Sequence, residues 1–293
     1  MSARFHAHRS RPAQTAETSR QAEERKAIEM IFKRIEALLK NCETDFPVMP
    51  PTQLYNEGWM LRLTIDRFAS ICLENKLHPL AVPPGCRWYS EALLPSAFLP
   101  ESRKDSLAES WTHADGVIGH FGIGNGAKGN LTLHSDAKHL VVLEAKMFSK
   151  LSANVKNASY FNQAARNVAC IAEVLKRAER RAREFNALGF YVLAPASQIK
   201  QGLFDEHLTK ASLRTVAERR VKEYGGKRDE WFSEWFLPVL ERLDIKAVSW
   251  EELIGFLATR DPDADQLRDF YARCLEFNKH PKKAEQSVAP DRQ

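Results

Sequence analysis

Asp115 sits inside an alternating, β-prone stretch, Trp111-Thr-His-Ala-Asp-Gly-Val-Ile118. Starting 29 positions later, Glu144-Ala-Lys146 interrupts a second such stretch, His139-Leu-Val-Val-Leu-Glu-Ala-Lys-Met-Phe148. Successive residues of a strand face opposite ways. Val141, Leu143, Ala145 and Met147 therefore form one apolar row, and Glu144 and Lys146 project side by side from the other face. The same alternation puts Trp111, His113, Asp115 and Val117 on one face of the first strand, and Thr112, Ala114, Gly116 and Ile118 on the other. If the two strands are neighbours, Asp115, Glu144 and Lys146 meet at one spot. Charges set among apolar residues are costly unless paired or liganded. Two carboxylates suit Mg²⁺, with Mn²⁺ able to substitute, and such an ion polarises a phosphodiester and acidifies a bound water. A lysine alongside can orient or deprotonate that water, or neutralise charge building on the phosphate.

The rest of the chain supplies elements to hold these strands. Ile28, Ile31, Phe32, Ile35, Leu38 and Leu39 recur at helical spacing, and Pro47, Pro50 and Pro51 end that helix. A second helix is expected from Leu54 to Asn75. A proline-punctuated passage follows from Pro79 to Pro100, with a short helical stretch at Tyr89–Leu94. Leu131–His134 reads as a strand between the two that carry the charges, completing a three-strand meander. A long helix is expected over Asn157–Asn186, a buried strand at Gly189–Ala194, helices over 203–243 and a last strand at Ile245–Trp250. Ser249 and Glu252 stand in capping-box spacing ahead of a helix on Leu253, Ile254 and Leu257. A final helix runs from Asp263 to Phe277. The expected fold is α/β: a mixed central β-sheet flanked by helices, with additional N- and C-terminal helices. Residues 1–17 read as a mobile basic tail, 18–278 as a single domain and 279–293 as a second tail.

Asp115 followed by Glu144-Ala-Lys146 resembles the motif of the PD-(D/E)XK nuclease superfamily, whose fold is restriction-endonuclease-like. Ala114 stands where the motif name has proline. The resemblance covers about residues 54–194. It implies Asp115 and Glu144 as metal ligands, Lys146 as the catalytic lysine, and an auxiliary glutamate on the preceding helix. Glu57, ahead of Met60 and Leu61, is the candidate for that ligand, with Glu91 and Glu109 as competitors. The resemblance also implies polar residues on the helix after the lysine strand, where Tyr160, Gln163 and Asn167 share a face. His113 is a further substrate-side candidate. Between Lys150 and Arg183 eight basic residues, Arg166 among them, face two acidic ones, a surface suited to a phosphate backbone.

Other chemistries lack their signatures. In Gly122–Gly129 a strand rather than a helix follows the glycines, so the segment reads as a hairpin loop and not a dinucleotide site. Walker A, H-E-x-x-H and G-x-S-x-G are absent. The five cysteines include no C-x-x-C pair, which argues against a disulfide framework or thiolate zinc site and for a reducing, cytoplasmic compartment. No apolar run approaches the ~18 residues of a spanning helix, and the N-terminus is too polar for a secretory leader. With 43 basic against 38 acidic residues, the net charge of +5 permits a polyanionic partner. The reading is an Mg²⁺-dependent nuclease acting on DNA, an endonuclease, working as a homodimer or with a partner protein. Its alternatives are a nuclease-fold binding protein without turnover and the effector subunit of a restriction or antiviral assembly.

Overall fold

The structure, a computed structural model, describes residues 13–71, 78–100, 102, 105–124, 129–151 and 158–279. The chain divides into two compact units, 1–54 and 55–293. The first holds α1 (Ala13–Lys40) and two short 3₁₀ turns, Asn41–Glu43 and Pro51–Gln53. The helix begins at Ala13, inside the stretch read as a tail; residues 1–12 and 280–293 lie outside the described residues.

The second unit runs α2 (Glu57–Ser70), β1 (Arg87–Leu94), β2 (Thr112–Gly119), β3 (Phe121–Ile123), β4 (Leu131–Leu133), β5 (His139–Ala145) and α3 (Gln163–Arg177). It continues through β6 (Ala187–Ala194), α4 (Ala196–Lys200), α5 (Asp205–Leu208), α6 (Lys210–Lys222), α7 (Asp229–Trp231) and α8 (Leu237–Arg242). A π-helical turn, Phe232–Phe236, joins the last two of these. The unit closes with β7 (Asp244–Ser249), α9 (Trp250–Ala258) and α10 (Ala264–Asn278).

The fold is α/β, a five-stranded mixed sheet flanked by helices. The strand order is β1-β2-β5-β6-β7, antiparallel among the first three strands and parallel among the last three. Apolar side chains coat both faces of the sheet. Val141, Leu143, Ala145 and Met147 join Met60, Leu61 and Ile65 of α2 and Leu253 of α9 in one core cluster. Leu140 and Val142 join Val168, Ile171 and Leu175 of α3 in the other. Burial on both faces explains why β5 and β6 read as continuous hydrophobic runs. Each fully buried leucine, isoleucine or valine contributes about 1.5–3 kcal/mol.

Four expectations are corrected. Tyr89–Leu94 is not helical: it belongs to β1, in antiparallel register with β2 from Arg87↔Gly119 to Leu94↔Thr112. The aromatic pair Trp88-Tyr89 favours a strand, and a partner edge outweighs the weak helical preference of Glu-Ala-Leu-Leu. The strand at Leu131 takes no place in the central sheet. It pairs with β3 in a separate two-stranded ribbon, and β1 supplies the antiparallel edge instead. The long helix is shorter than its periodicity implied. Asn162 caps it, its side chain accepting from the Ala165 N–H at 3.0 Å, and the chain turns away at Glu179, whose φ is 53°. The helix begun at Leu54 starts at Glu57, with Asn56 as its cap; the Cys72–Asn75 end of that expectation lies outside the described residues.

A fifth difference bears on the site. Thr112 contacts Cys170 of α3, and Ala114 and Val117 pack in the α3-side cluster, whereas Gly116 lies against Leu61 and Ile65 of α2. Strict alternation would put Ala114 and Gly116 on the same side. On β1, Ala92 packs on the α3 side but Ser90 accepts a hydrogen bond from Arg62 of α2. Both strands change face between pairs Ala92↔Ala114 and Ser90↔Gly116, at Glu91 and Asp115. Glu91 has φ 57°, and a left-handed residue inside a strand breaks the pleat.

Candidate active site

Asp115 stands where the β2–β5 ladder ends, one residue before the pair Gly116↔Leu143. Its carboxylate accepts the Ala145 N–H at 2.7 Å, replacing a ladder bond as the strands part. Glu144 and Lys146 emerge at the same end of β5. Lys146 donates to Glu144 Oε1 at 2.6 Å, and Asn167 of α3 donates to Glu144 Oε2 at 3.0 Å. Both members of the ion pair are buried, with 2 % exposure for Glu144 and 7 % for Lys146. In such a setting a charge-assisted bond and a second donor are needed to offset lost hydration.

The backbone of Lys146 is held on two sides. Its N–H donates to the Leu193 carbonyl of β6 at 2.7 Å, and its carbonyl accepts the indole N–H of Trp250 at 2.9 Å. Trp250 opens α9, which Ser249 caps by accepting the Glu252 N–H at 3.1 Å. The cap legible in the sequence thus ends up bracing the lysine through a tryptophan that sequence reasoning did not single out.

Burial pushes the Asp115 carboxyl up to about 7, and the Glu144 charge adds to the rise. The Ala145 N–H and Lys146 act against it, while Glu91 adds a smaller repulsion. Two carboxylates forced together in a buried site form a charge arrangement that a divalent cation relieves. The donor set fits Mg²⁺, which is commonly bound through one or two carboxylates and keeps several waters. Among the described residues no group of three or more His, Cys, Asp and Glu side chains is arranged to hold a metal ion.

The other candidates are placed as follows. Glu57 lies in the first turn of α2, where its charge adds to the burial that raises the Cys274 thiol of α10; the charges acting on Asp115 are those of Glu144, Lys146 and Glu91. Glu91 is opposite Asp115 and pairs with Arg62 at 3.4 Å. Glu109 is buried away from the cluster, accepting from Ser96 and facing Arg166 at 3.4 Å. Arg166 donates to the Ser110 carbonyl at 2.9 Å and the Trp111 carbonyl at 3.3 Å, so it pins the strand entering β2. Tyr160 lies under Arg219 of α6, 3.7 Å from ring centroid to guanidinium carbon, and burial raises its hydroxyl to about 12. Gln163 opens α3 one turn before Asn167. His113 is exposed on β2 beside Trp111. Of the three polar residues sharing a face in the sequence, Asn167 donates to Glu144.

Two consequences can be measured. Asn167→Ala removes the donor to one oxygen of the buried Glu144 carboxylate and is expected to cost about 1–3 kcal/mol, read by urea denaturation. Glu109→Ala strips Arg166 of its carboxylate and is expected to cost about 2–3 kcal/mol, read by urea denaturation.

Among the described residues no helix is long and apolar enough to cross a membrane. Comparisons of the chain with protein-family models, with curated proteins and with solved structures find no match.

Proposed function

We propose that the chain is a metal-dependent nuclease hydrolysing phosphodiester bonds in DNA, with Asp115, Glu144 and Lys146 at its centre. One observation carries this reading: the three side chains lie together at the parting ends of β2 and β5, with the ionised form of Asp115 disfavoured first by burial and then by its neighbouring carboxylate. That arrangement costs stability and has no evident packing purpose, which is the signature of a group kept for function. Asp115 and Glu144 would hold Mg²⁺, which when bound supplies Lewis-acid polarisation of the phosphate and a more acidic water.

The chain's own residues supply the remaining parts. Lys146 offers an ammonium group to the developing charge on the phosphoryl oxygens. Its position is set by three bonds: Glu144 at the side chain, and Leu193 and Trp250 at the backbone. Asn167 keeps the Glu144 carboxylate from rotating. The Ala145 N–H fixes Asp115 by one oxygen and leaves the other available. Preorganisation of this kind puts the ordering cost into folding rather than into the reaction. The resemblance to the PD-(D/E)XK superfamily supports the same roles, and the four described cysteines, all free thiols, go with a reducing, cytoplasmic setting.

The test is incubation of the purified chain with labelled DNA in Mg²⁺ or Mn²⁺ and in EDTA. Metal-dependent cleavage lost in EDTA is expected. Salt-sensitive DNA binding with no cleavage under any divalent metal would replace this reading with that of a binding protein on the same fold.

A further inference from the structure

Between β1 and the start of β2 the surface opens into a groove of about 830 Å³ lined by Tyr89, Glu91, Leu93, Trp111, His113 and Gly129, among others. Glu91, opposite Asp115 on the neighbouring strand, connects the groove to the carboxylates. Its lining is partly aromatic: Trp111 and Tyr89 are half-buried and His113 is exposed.

This groove is built rather than incidental. Trp111 enters β2 with its carbonyl and that of Ser110 held by Arg166, which the buried Glu109 keeps in place. Arg177 of α3 lies 5.5 Å from the Trp111 ring, so the indole is propped from one side. Gly129 has φ 67°, and a Cβ there would stand 3.0 Å from the Tyr89 ring. Its carbonyl accepts the Leu93 N–H at 2.9 Å. Only glycine permits the loop to lie this close to the tyrosine, and that closeness shapes one wall. Arg62, Arg166 and Arg177 stand around the groove, each beside a carboxylate that limits its net charge. The groove therefore offers flat apolar surface more than a phosphate clamp.

We infer that this groove takes an unpaired nucleotide base next to the scissile phosphate, so that the substrate class is single-stranded nucleic acid or a duplex with an unpaired segment. The inference rests on the nuclease reading for the position of the scissile phosphate. The physical ground is access. In a duplex the bases are stacked on one another and their faces are covered, whereas an unpaired base can stack on Trp111 or Tyr89. Stacking of this kind is worth about 1–3 kcal/mol per base and tolerates any sequence. Among the described residues, the arginines around the groove are each paired with a carboxylate, which fits recognition of a base rather than of a backbone.

The experiment measures binding in EDTA, where cleavage cannot intervene, using fluorescence anisotropy of a short labelled DNA oligonucleotide and of the same sequence as a blunt duplex. Tighter binding of the single strand is expected. Trp111→Leu, which keeps an apolar group against Arg177 but removes the ring, should weaken single-strand binding about 10-fold and leave duplex binding unchanged. Tyr89→Leu is the second variant, and melting curves establish that each variant is folded. Duplex affinity equal to or above that of the single strand overturns the inference. So does single-strand affinity unchanged in both folded variants. Metal-dependent cleavage of blunt duplex, insensitive to Trp111→Leu, would overturn this inference and leave the nuclease reading standing. Ring-dependent single-strand binding without cleavage in any divalent metal would support the groove and end that reading.

Discussion

Lys146→Met is expected to lower metal-dependent cleavage about 100- to 1,000-fold, the scale of removing a fixed charge from a phosphoryl or acyl transition state. On its own that variant is ambiguous. Glu144 is 2 % exposed and its Oε1 is held by the Lys146 ammonium at 2.6 Å, so removal of the lysine strands a buried carboxylate. Breaking one side of a buried pair costs about 3–5 kcal/mol, so lost activity and lost fold give the same result in this variant. The double variant Glu144→Gln/Lys146→Met resolves this. Replacing both partners with neutral groups of similar shape is often neutral for stability. Glutamine retains an oxygen or an amide for Asn167, and methionine fills the volume of the lysine stem. We expect the double variant to recover most of the denaturation midpoint lost in Lys146→Met while cleavage stays at background. Cleavage persisting in a well-folded double variant would exclude this pair from the chemistry.

Asp115→Asn is expected to move stability and activity in opposite directions. The Asp115 carboxyl stands at about 7 in the folded protein because burial and the Glu144 charge disfavour its ionised form. An unfolded aspartate titrates near about 3.9. The folded chain therefore binds this proton more tightly than the unfolded chain does. The resulting contribution to stability is complete below about pH 4 and is lost as pH rises through about 7. At pH 8 in EDTA the wild type carries the full repulsion. Asparagine removes that charge and keeps an oxygen to accept the Ala145 N–H. A gain of about 1 kcal/mol, or about 2–4 °C in Tm for a domain of this size, is expected at pH 8. At pH 5 the gain should shrink, because the wild-type carboxyl is already protonated. Added Mg²⁺ at pH 8 should raise the Tm of the wild type and not of the variant, since a ligand stabilises only the state that binds it. Cleavage by Asp115→Asn should be at background. A variant no more stable than wild type at pH 8 would contradict the electrostatic picture of the site.

These two experiments separate roles that activity alone would merge. The first asks whether Glu144 and Lys146 act as chemistry or as a buried structural pair. The second asks whether Asp115 is held at a cost that a cation relieves. Natural sites that store unfavourable electrostatics trade stability for function, and substitution there is commonly stabilising.

Much of the frame follows from local pattern. The apolar row Val141, Leu143, Ala145 and Met147 has one physical solution, burial on one side of a strand, and it places Glu144 and Lys146 together on the other. Ser249 with Glu252, and the periodic apolar residues of α3, specify helices through contacts within a turn or two. What depended on partners distant in the chain was not legible. Tyr89–Leu94 has a composition compatible with helix or strand, and the open hydrogen-bonding edge of β2 decides it. The break in pleat at Glu91 and Asp115 arises because two strands change face together, and alternation within one strand cannot reveal that. Glu57, Glu91 and Glu109 are equivalent as letters. Their separation into a helix start, a residue opposite Asp115 and a buried arginine partner comes from packing over long sequence distances. The acidic and basic letters of the site were local information. Which of them share one small volume is a property of the sheet, because strand pairing, not sequence spacing, sets the distance between side chains.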